Sequence, residues 1–198
     1  MRIDKDLLAH GQEFRRALAN HQYEVTDEGG ILFPRQHVTA KGVYEHAVNG
    51  KDVRRDTNRV VAEGLNYILS SALDAGTQIT AWYMALYAGN VSPAAGWTAA
   101  NFASNATEIT STSEGFAGLR KAVNFAAPAA GAITNSASKA EFTIATATAL
   151  DVNGVGIMSV DTRGAVTGTL LSAVKFSATR NLQNADVFSV VYTLTLTP

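Results

Sequence analysis

The sequence predicts a mainly β protein: an antiparallel β-sandwich, jelly-roll-like, with one packed helix, preceded by an N-terminal helix and an extended arm. The first observation is the distribution of charge. Residues 1–63 hold ten Lys or Arg, ten Asp or Glu and all four His, whereas residues 64–198 hold six basic and seven acidic residues. The second is that short alternating apolar runs, separated by turn residues, follow this change. The sequence therefore predicts two parts, a helix and arm over 1–55 and a sandwich domain over 56–198.

The charged part begins with a predicted helix. Asp4 can cap it, and Leu7, Phe14 and Leu18 share one helical face. Glycine and proline then interrupt any periodicity over residues 29–34, which indicates an extended segment.

The apolar residues of this arm are too scattered to form a core of their own. An ordered segment of this kind gains stability by burying such groups on a neighbouring subunit. The sequence thus predicts an interface whose contact residues are Phe33, Val38, Val43, Tyr44, His46 and Val48.

A second helix is predicted over residues 57–75, leading into the sandwich. Asp56 or Thr57 can accept hydrogen bonds from its first free amides, and Gly76 supplies a left-handed stop. Apolar residues recur at intervals of three and four, and we expect this face to cover the sheet: Val61, Leu65, Ile68, Leu69 and Ala72.

The stretch "TAWYMALY", residues 80–87, lies in the predicted strand over residues 79–87. Trp82, Met84 and Leu86 alternate with Tyr83 and Tyr87, so both faces are apolar. The pattern favours a strand buried between an opposing sheet and the helix, over the alternative of an exposed aromatic platform.

Further strands are predicted in five segments separated by turn signals: "GLRKAVNFA", "SKAEFTIATA", "VNGVGIMSVD", "TGTLLSAVKFSATR" and "ADVFSVVYTLTLT". "DVNG", residues 151–154, is interpreted as a turn. We expect one β domain over 77–198 with seven residues largely buried: Trp82, Leu86, Phe142, Phe176, Val190, Tyr192 and Leu194.

No pattern in the sequence indicates catalysis, a cofactor or a metal. The four histidines, His10, His21, His37 and His46, lack the spacings that place two ligands on one metal, and there is no cysteine. Glu108 with Glu114, and Asp151 with Asp161, are pairs that hairpin ends can bring together, although turn capping explains them better.

Charge and hydropathy argue against two classes of binding partner. The formal net charge of −1 gives no electrostatic basis for nucleic-acid binding. Residues 75–107 carry no charge, but polar residues, glycine and proline interrupt them too often for a membrane helix. We expect neither nucleic acid nor membrane as a partner.

Five segments resemble virion structural proteins of tailed bacteriophages: "NRVVAEGLNYILSSAL", "WYMALYAGNVSP", "WTAANF", "TGTLLSAVKFSATR" and "VVYTLTLT". They span residues 58–197, and the layout is most similar to a capsid decoration, or cement, protein. The resemblance implies a homo-oligomeric β-sandwich, made in the bacterial host cytoplasm, that sits on the capsid surface and clamps neighbouring subunits of the major capsid protein.

An alternative of a different class is a tail or head-fibre protein that binds a host-surface glycan or another virion protein. In that case Trp97, Phe102 or Phe116, within the loop-rich region 89–118, would form an exposed stacking platform.

Overall fold

A computed structural model describes residues 39–197, together with positions 11, 15, 19, 24–25 and 31–32 nearer the N-terminus. The chain divides into two compact units, Met1–Val38 with Pro198, and Thr39–Thr197.

In the first unit the backbone is helical at positions 11, 15 and 19, and β1 (Glu24–Val25) pairs antiparallel with β2 (Ile31–Leu32). The apolar residues predicted for the first helix, Leu7, Phe14 and Leu18, lie outside the described residues.

The second unit contains two antiparallel sheets. The six-stranded sheet comprises β3 (Thr39–Val48), β4 (Lys51–Thr57), β7 (Gly115–Phe116), β9 (Ala132–Thr134), β10 (Ala140–Ala145) and β13 (Val187–Thr197). The five-stranded sheet comprises β5 (Arg59–Val60), β6 (Tyr83–Tyr87), β8 (Lys121–Ala122), β11 (Leu150–Met158) and β12 (Leu170–Leu182). Between residues 39 and 197 lie two helices, α1 (Ala62–Leu73) and α2 (Ala99–Ala106).

The strand order is β4-β3-β13-β10-β7 in the first sheet, with β9 beside the end of β13, and β5-β12-β11-β6-β8 in the second. Every pairing is antiparallel, so the predicted mainly β, sandwich-like architecture is confirmed. Consecutive residues are buried over most of β11 and over parts of β12 and β13, so both faces of the sheet are covered there: 152–158, 170–174 and 188–192.

The main core lies between the sheets. Tyr44, Phe142 and Phe188 from the six-stranded sheet meet Val155 and Phe176 from the five-stranded sheet. Each such side chain contributes about 1.5–3 kcal/mol when it is buried. Of the seven residues predicted to be buried, six are, while Trp82 is half-buried at the edge of this core.

A second core covers the opposite face of the five-stranded sheet. Tyr87 of β6 and Phe102 of α2 meet edge to face with their ring centroids 6.0 Å apart, and Trp97 packs beside both. Met84 and Leu86 point instead into the main core. The strand has two buried faces, as predicted, but it covers Tyr83–Tyr87 instead of residues 79–87. The helix beside Tyr87 is α2, which lies in the region predicted to be rich in loops.

The predicted arm boundary at residue 55 is wrong. Thr39–Val48 forms β3, which pairs with β13 over ten residues, and Lys51–Thr57 forms β4 beside it. The boundary between units falls at residues 38 and 39. Asn49 and Gly50, both with positive φ, make the two-residue turn that joins these strands.

The start and orientation of α1 also differ from the prediction. Its N-cap is Val61, whereas Asp56 and Thr57 belong to β4, and the positive φ after the helix falls on Ala75 rather than Gly76. The face that meets the sheet contains Gly64, where a Cβ atom would lie 2.1 Å from the carbonyl oxygen of Leu171. Glycine lets the helix backbone lie directly on β12, and this contact turns Leu65 and Leu69 outward.

The predicted turn "DVNG" is instead part of β11. Val152 pairs with Arg180 and Gly154 with Lys175, so Asn153 lies opposite a bulge formed by residues 176–179 of β12. The Asn153 side chain donates to the carbonyl of Ala88 at 2.6 Å and accepts from the Thr179 hydroxyl at 2.6 Å, so its polar groups are satisfied within the sheet.

Candidate functional site

The four predicted interface residues that the structure describes do not form a common exposed surface. Tyr44 and His46 are buried inside the sandwich, so their assignment as contact residues on a neighbour is wrong. Val43 and Val48 are half-buried on β3, while Phe33 and Val38 lie outside the described residues. Alternation along β3 explains the error, because the inward positions pack against the chain's own second sheet.

Tyr44 is part of a polar contact within the core. Its hydroxyl lies 2.7 Å from the Ser172 hydroxyl oxygen across the two sheets, and its ring lies 4.6 Å from that of Tyr192. Burial raises the pKa of both tyrosines, so both stay neutral hydrogen-bonding groups.

The best-connected polar cluster centres on His46, which is 1% exposed. His46 Nε2 lies 2.9 Å from Asp56 Oδ2, and Arg180 Nε donates to His46 Nδ1 at 2.9 Å. Because the guanidinium can only donate, Nδ1 must accept, and Nε2 carries the ring proton toward Asp56. Arg180 comes from β12 and the other two residues from β3 and β4, so the cluster joins the two sheets.

The surroundings keep the His46 ring neutral. Burial lowers the pKa of His46, and the positive charge of Arg180 adds to this effect against the opposing influence of Asp56. The ring also stacks on Phe176 with centroids 3.9 Å apart. Both ring nitrogens are therefore occupied by protein groups, and the arrangement supports a structural link between sheets rather than proton transfer to a substrate.

A second buried ion pair connects the loops at another place in the sandwich. Arg120 donates to both carboxylate oxygens of Glu108 at 2.8 and 2.7 Å, and both side chains are almost fully buried. Glu108 also accepts from the Gly164 amide at 3.0 Å, while Arg120 donates to the carbonyl of Val160. This pair anchors the loop after β11 to the segment before β8.

The other predicted carboxylates have local structural contacts. Glu114 accepts from the Thr146 hydroxyl and the Ala147 amide, and the hydrogen bond from Thr146 lowers its pKa. Asp151 accepts from Asn181 at 2.8 Å. Glu108 is thus committed to Arg120 and Glu114 to a loop, so neither contributes to a carboxylate pair of catalytic type.

A shallow cleft of about 350 Å³ lies beside β5 and β12. Its lining includes Arg59, Lys175 and Ser92, which could attract a small anion from solvent. No aromatic side chain lines it.

An apolar helix surface is the most distinctive exposed feature of the described chain. We call it the α1 face, and it consists of Ala62, Leu65, Leu69, Ala72 and Leu73. Leu65, Leu69 and Leu73 are 41%, 56% and 81% exposed. Within α1 the only charged residue is Glu63, whose carboxylate is used internally by the amides of Ala99 at 2.8 Å and Leu170 at 2.7 Å. The face is therefore an uncharged apolar stripe along the helix.

The predicted aromatic platform for glycan binding is not exposed. Trp97 is 6% exposed, Phe116 1% and Phe102 0%. Trp97 and Phe102 belong to the second core, and Phe116 packs edge to face on Phe142 in the main core. This part of the alternative prediction is wrong, because the region 89–118 folds over the sheet through α2 instead of forming open loops.

In the part of the chain that the structure describes, no three His, Asp or Glu side chains gather closely enough to share a metal ion. No helix among the described residues is long and apolar enough to cross a membrane. No protein-family model matches this chain, and no curated protein matches its sequence.

Two local signals in the sequence locate parts of these sites. The "NG" at positions 49–50 is a strong hairpin signal that identifies β3 and β4, and hence the positions of His46 and Asp56. Gly64, in the first turn of an apolar helix, marks a close backbone contact and so indicates which side of α1 meets the sheet. The pairing of His46 with Arg180, 134 residues apart, has no local signal.

Proposed function

We propose that this protein is a structural component of a tailed-bacteriophage particle that decorates the capsid and stabilises the shell by clamping neighbouring capsid subunits. Its partners are the major capsid protein and further copies of itself, and it is not an enzyme. It is made in the host cytoplasm and acts on the capsid surface. The α1 face is the observation that carries this proposal.

The α1 face has the properties of a protein-contact surface. Leu69 and Leu73 each leave more than half of their surface in water, and covering apolar area contributes about 25 cal/mol per Å². Exposed apolar stripes on a rigid element commonly mark protein interfaces. A partner that covers this face would remove these leucines from water.

The interior of the molecule supports a rigid building block. The His46 and Glu108 clusters hold sheets and loops together, with their hydrogen-bonding groups directed at the protein itself. A rigid domain that exposes the α1 face as a contact surface suits a component of a protein shell. The resemblance of residues 58–197 to phage virion proteins gives the proposal its biological setting.

We also propose that the sandwich is jelly-roll-like. The chain passes between the sheets repeatedly, as from β4 to β5, from β10 to β11 and from β12 to β13. Such alternation between two sheets is typical of jelly rolls, in which Greek-key connections cross the ends of the sandwich.

The alternative is a tail or head-fibre protein. Because Trp97 and Phe102 are buried, they cannot form the exposed platform that its glycan binding would need. Contact with another virion protein remains compatible with the α1 face. Copy number separates the two, since a shell protein is present in hundreds of copies and a fibre protein in a handful.

The experiment is to purify particles of the phage that encodes the chain, count its copies by quantitative mass spectrometry, and locate it by cryo-electron microscopy. We expect hundreds of copies on the outer capsid surface. Added purified protein should also bind saturably to particles that lack it and raise their resistance to heat. Absence from the particle, or confinement to the tail, would contradict the proposal.

A further inference from the structure

We propose that the α1 face pairs with the α1 face of a second copy of this chain, in an antiparallel arrangement about a twofold axis. This inference rests on the proposed function only in taking the α1 face as a protein-contact surface. It names the occupant, and it can be tested on the purified protein without any particle.

The exposed residues of α1 have the spacing of a helix–helix seam. Ala62, Leu65, Leu69 and Ala72 are separated by three, four and three positions, the pattern of residues at a helix–helix seam. All four are exposed, so the seam has no partner within the described part of its own chain.

This pattern of exposed residues is symmetric about Tyr67 along the helix. Leu65 and Leu69 lie two positions on either side of Tyr67, while Ala62 and Ala72 lie five positions on either side. In an antiparallel pair centred there, Leu65 meets Leu69 of the second copy and Ala62 meets Ala72 of the second copy. At these four positions the surface is complementary to itself, which is the requirement of a twofold interface.

The charges at the two ends of α1 also favour an antiparallel pair. α1 has no basic residue in its last turn, and the exposed Asp74 follows it, where a negative charge opposes the helix macrodipole. In an antiparallel pair, the C-terminal end of one α1, with Asp74, lies near the N-terminal end of the other. That end carries the positive pole of the helix macrodipole and follows the exposed Arg59 of β5. Both attract a carboxylate, so the pairing turns an unfavourable charge into a favourable one.

The size of the face limits the strength of the pair. Twelve helical residues extend about 18 Å, and a stable interface commonly covers about 800 Å² on each partner, more than one short helix supplies. We therefore expect an association that depends on protein concentration. A symmetric pair also presents two copies of the remaining surface, which suits a protein that bridges neighbouring capsid subunits.

The test uses the absence of cysteine from the natural sequence. Leu65→Cys and Leu69→Cys variants of the full chain are mixed in equal amounts and oxidised mildly, and the linked peptides are identified by mass spectrometry. The proposal predicts that disulfides between position 65 of one copy and position 69 of the other form more often than random pairing of the two variants would give. Leu119→Cys serves as the control, since Leu119 is 51% exposed in the loop before β8 and should form few links.

Equilibrium sedimentation provides the second measurement. The wild-type protein should approach twice the 20.9 kDa of one chain as its concentration rises. Leu69→Glu should raise the dissociation constant by about tenfold or more, because a carboxylate at the seam weakens the free energy of association by at least about 1.4 kcal/mol. Leu119→Glu should leave the dissociation constant unchanged. Circular dichroism checks that each variant is folded.

Asp74→Lys distinguishes the pairing from a purely structural role of the helix end. A lysine suits the C-terminal end of α1 in a single chain, yet in the pair it would lie near the positive N-terminal end of the second copy's helix and its Arg59. We expect unchanged or higher thermal stability of the single chain together with weaker association.

A wild-type protein that stays at 20.9 kDa at every concentration, or links dominated by 65–65 and 69–69 products, would overturn the proposal. The α1 face would then belong to a different occupant. Neither result decides whether the protein is found on a phage particle, so the two proposals fail separately.

Discussion

His46 shows how a single buried residue can connect the two sheets of a fold. Its two ring nitrogens bind Asp56 and Arg180, and its ring stacks on Phe176. Burial raises the pKa of Asp56, but hydrogen bonds from His46 and Ser177 outweigh this effect and leave the pKa below its usual range. Asp56 therefore stays ionised throughout the pH range in which an ordinary histidine titrates.

The pKa of His46 leads to a prediction about pH. Burial lowers this pKa in the folded state, so the unfolded chain, with a histidine pKa of about 6.5, takes up the proton first. The contribution of His46 to stability is complete above about pH 6.5 and is lost as the pH falls below that value, with a slope of at most about 1.4 kcal/mol per pH unit. Protonation also places a second hydrogen against Arg180.

Urea denaturation of the wild-type protein and of His46→Gln between pH 8 and pH 5 measures this effect. The free energy of unfolding of the wild-type protein should fall more steeply below pH 6.5 than that of the variant. The other three histidines are common to both proteins and cancel in the comparison. Parallel pH profiles would show that His46 is not the group responsible.

At the scale of elements, α1 is positioned by a few contacts rather than by its most apolar residues. Gly64 brings its backbone against Leu171, and the Tyr67 ring packs edge to face on Trp82. The Tyr67 hydroxyl also accepts from the Ile79 amide at 2.8 Å. These contacts decide which way the leucines of α1 point.

Glu63 provides a prediction at this scale. Its carboxylate accepts from the first amide of α2, Ala99, and from the Leu170 amide at the start of β12. Glu63→Ala leaves both donors without this partner and should lower the free energy of unfolding by about 1–3 kcal/mol. Hydrogen exchange should show loss of protection at the amides of Ala99 and Leu170.

The control for this experiment is Glu141→Ala, which removes an exposed carboxylate from β10. We expect this change to alter stability by less than about 0.5 kcal/mol. Equal effects of the two substitutions would mean that Glu63 does not connect α1 to α2 and β12.

For the whole molecule, the decisive point is that the sandwich begins at Thr39. β3 lies between β4 and the central strand β13, and it supplies Tyr44 and His46 to the interior. The charged first third of the sequence is therefore not a separate unit, because its last part is integral to the six-stranded sheet.

Two truncations test this boundary. A chain that begins at residue 39 should keep a cooperative unfolding transition and the β-rich circular dichroism spectrum of the full protein. A chain that begins at residue 56 lacks β3 and nearly all of β4, which leaves one edge of β13 unpaired and the Tyr44 and His46 positions empty. It should not fold cooperatively. Cooperative folding of the shorter chain would show that β3 and β4 are dispensable.

The sequence by itself was sufficient for the β-sandwich class and for the strands whose side chains are apolar. β13, β12, β10 and most of β11 were predicted because alternating or continuous apolar residues report burial directly. β6 was predicted with two covered faces for the same reason, since Met84 and Leu86 alternate with Tyr83 and Tyr87.

Only the tertiary structure decided where β3 belongs and which face of α1 is free. The inward positions of β3 include Gly42 and His46, and neither residue type indicates burial from sequence. A Cβ at Gly42 would lie 2.0 Å from Asn58 Oδ1, and His46 is satisfied by Arg180 from β12. Both positions are buried because distant segments supply the matching shape or hydrogen bond. The α1 leucines face outward for a similar reason, because the close contact of Gly64 with β12 determines the orientation of the helix. Hydrophobic periodicity alone does not predict that contact.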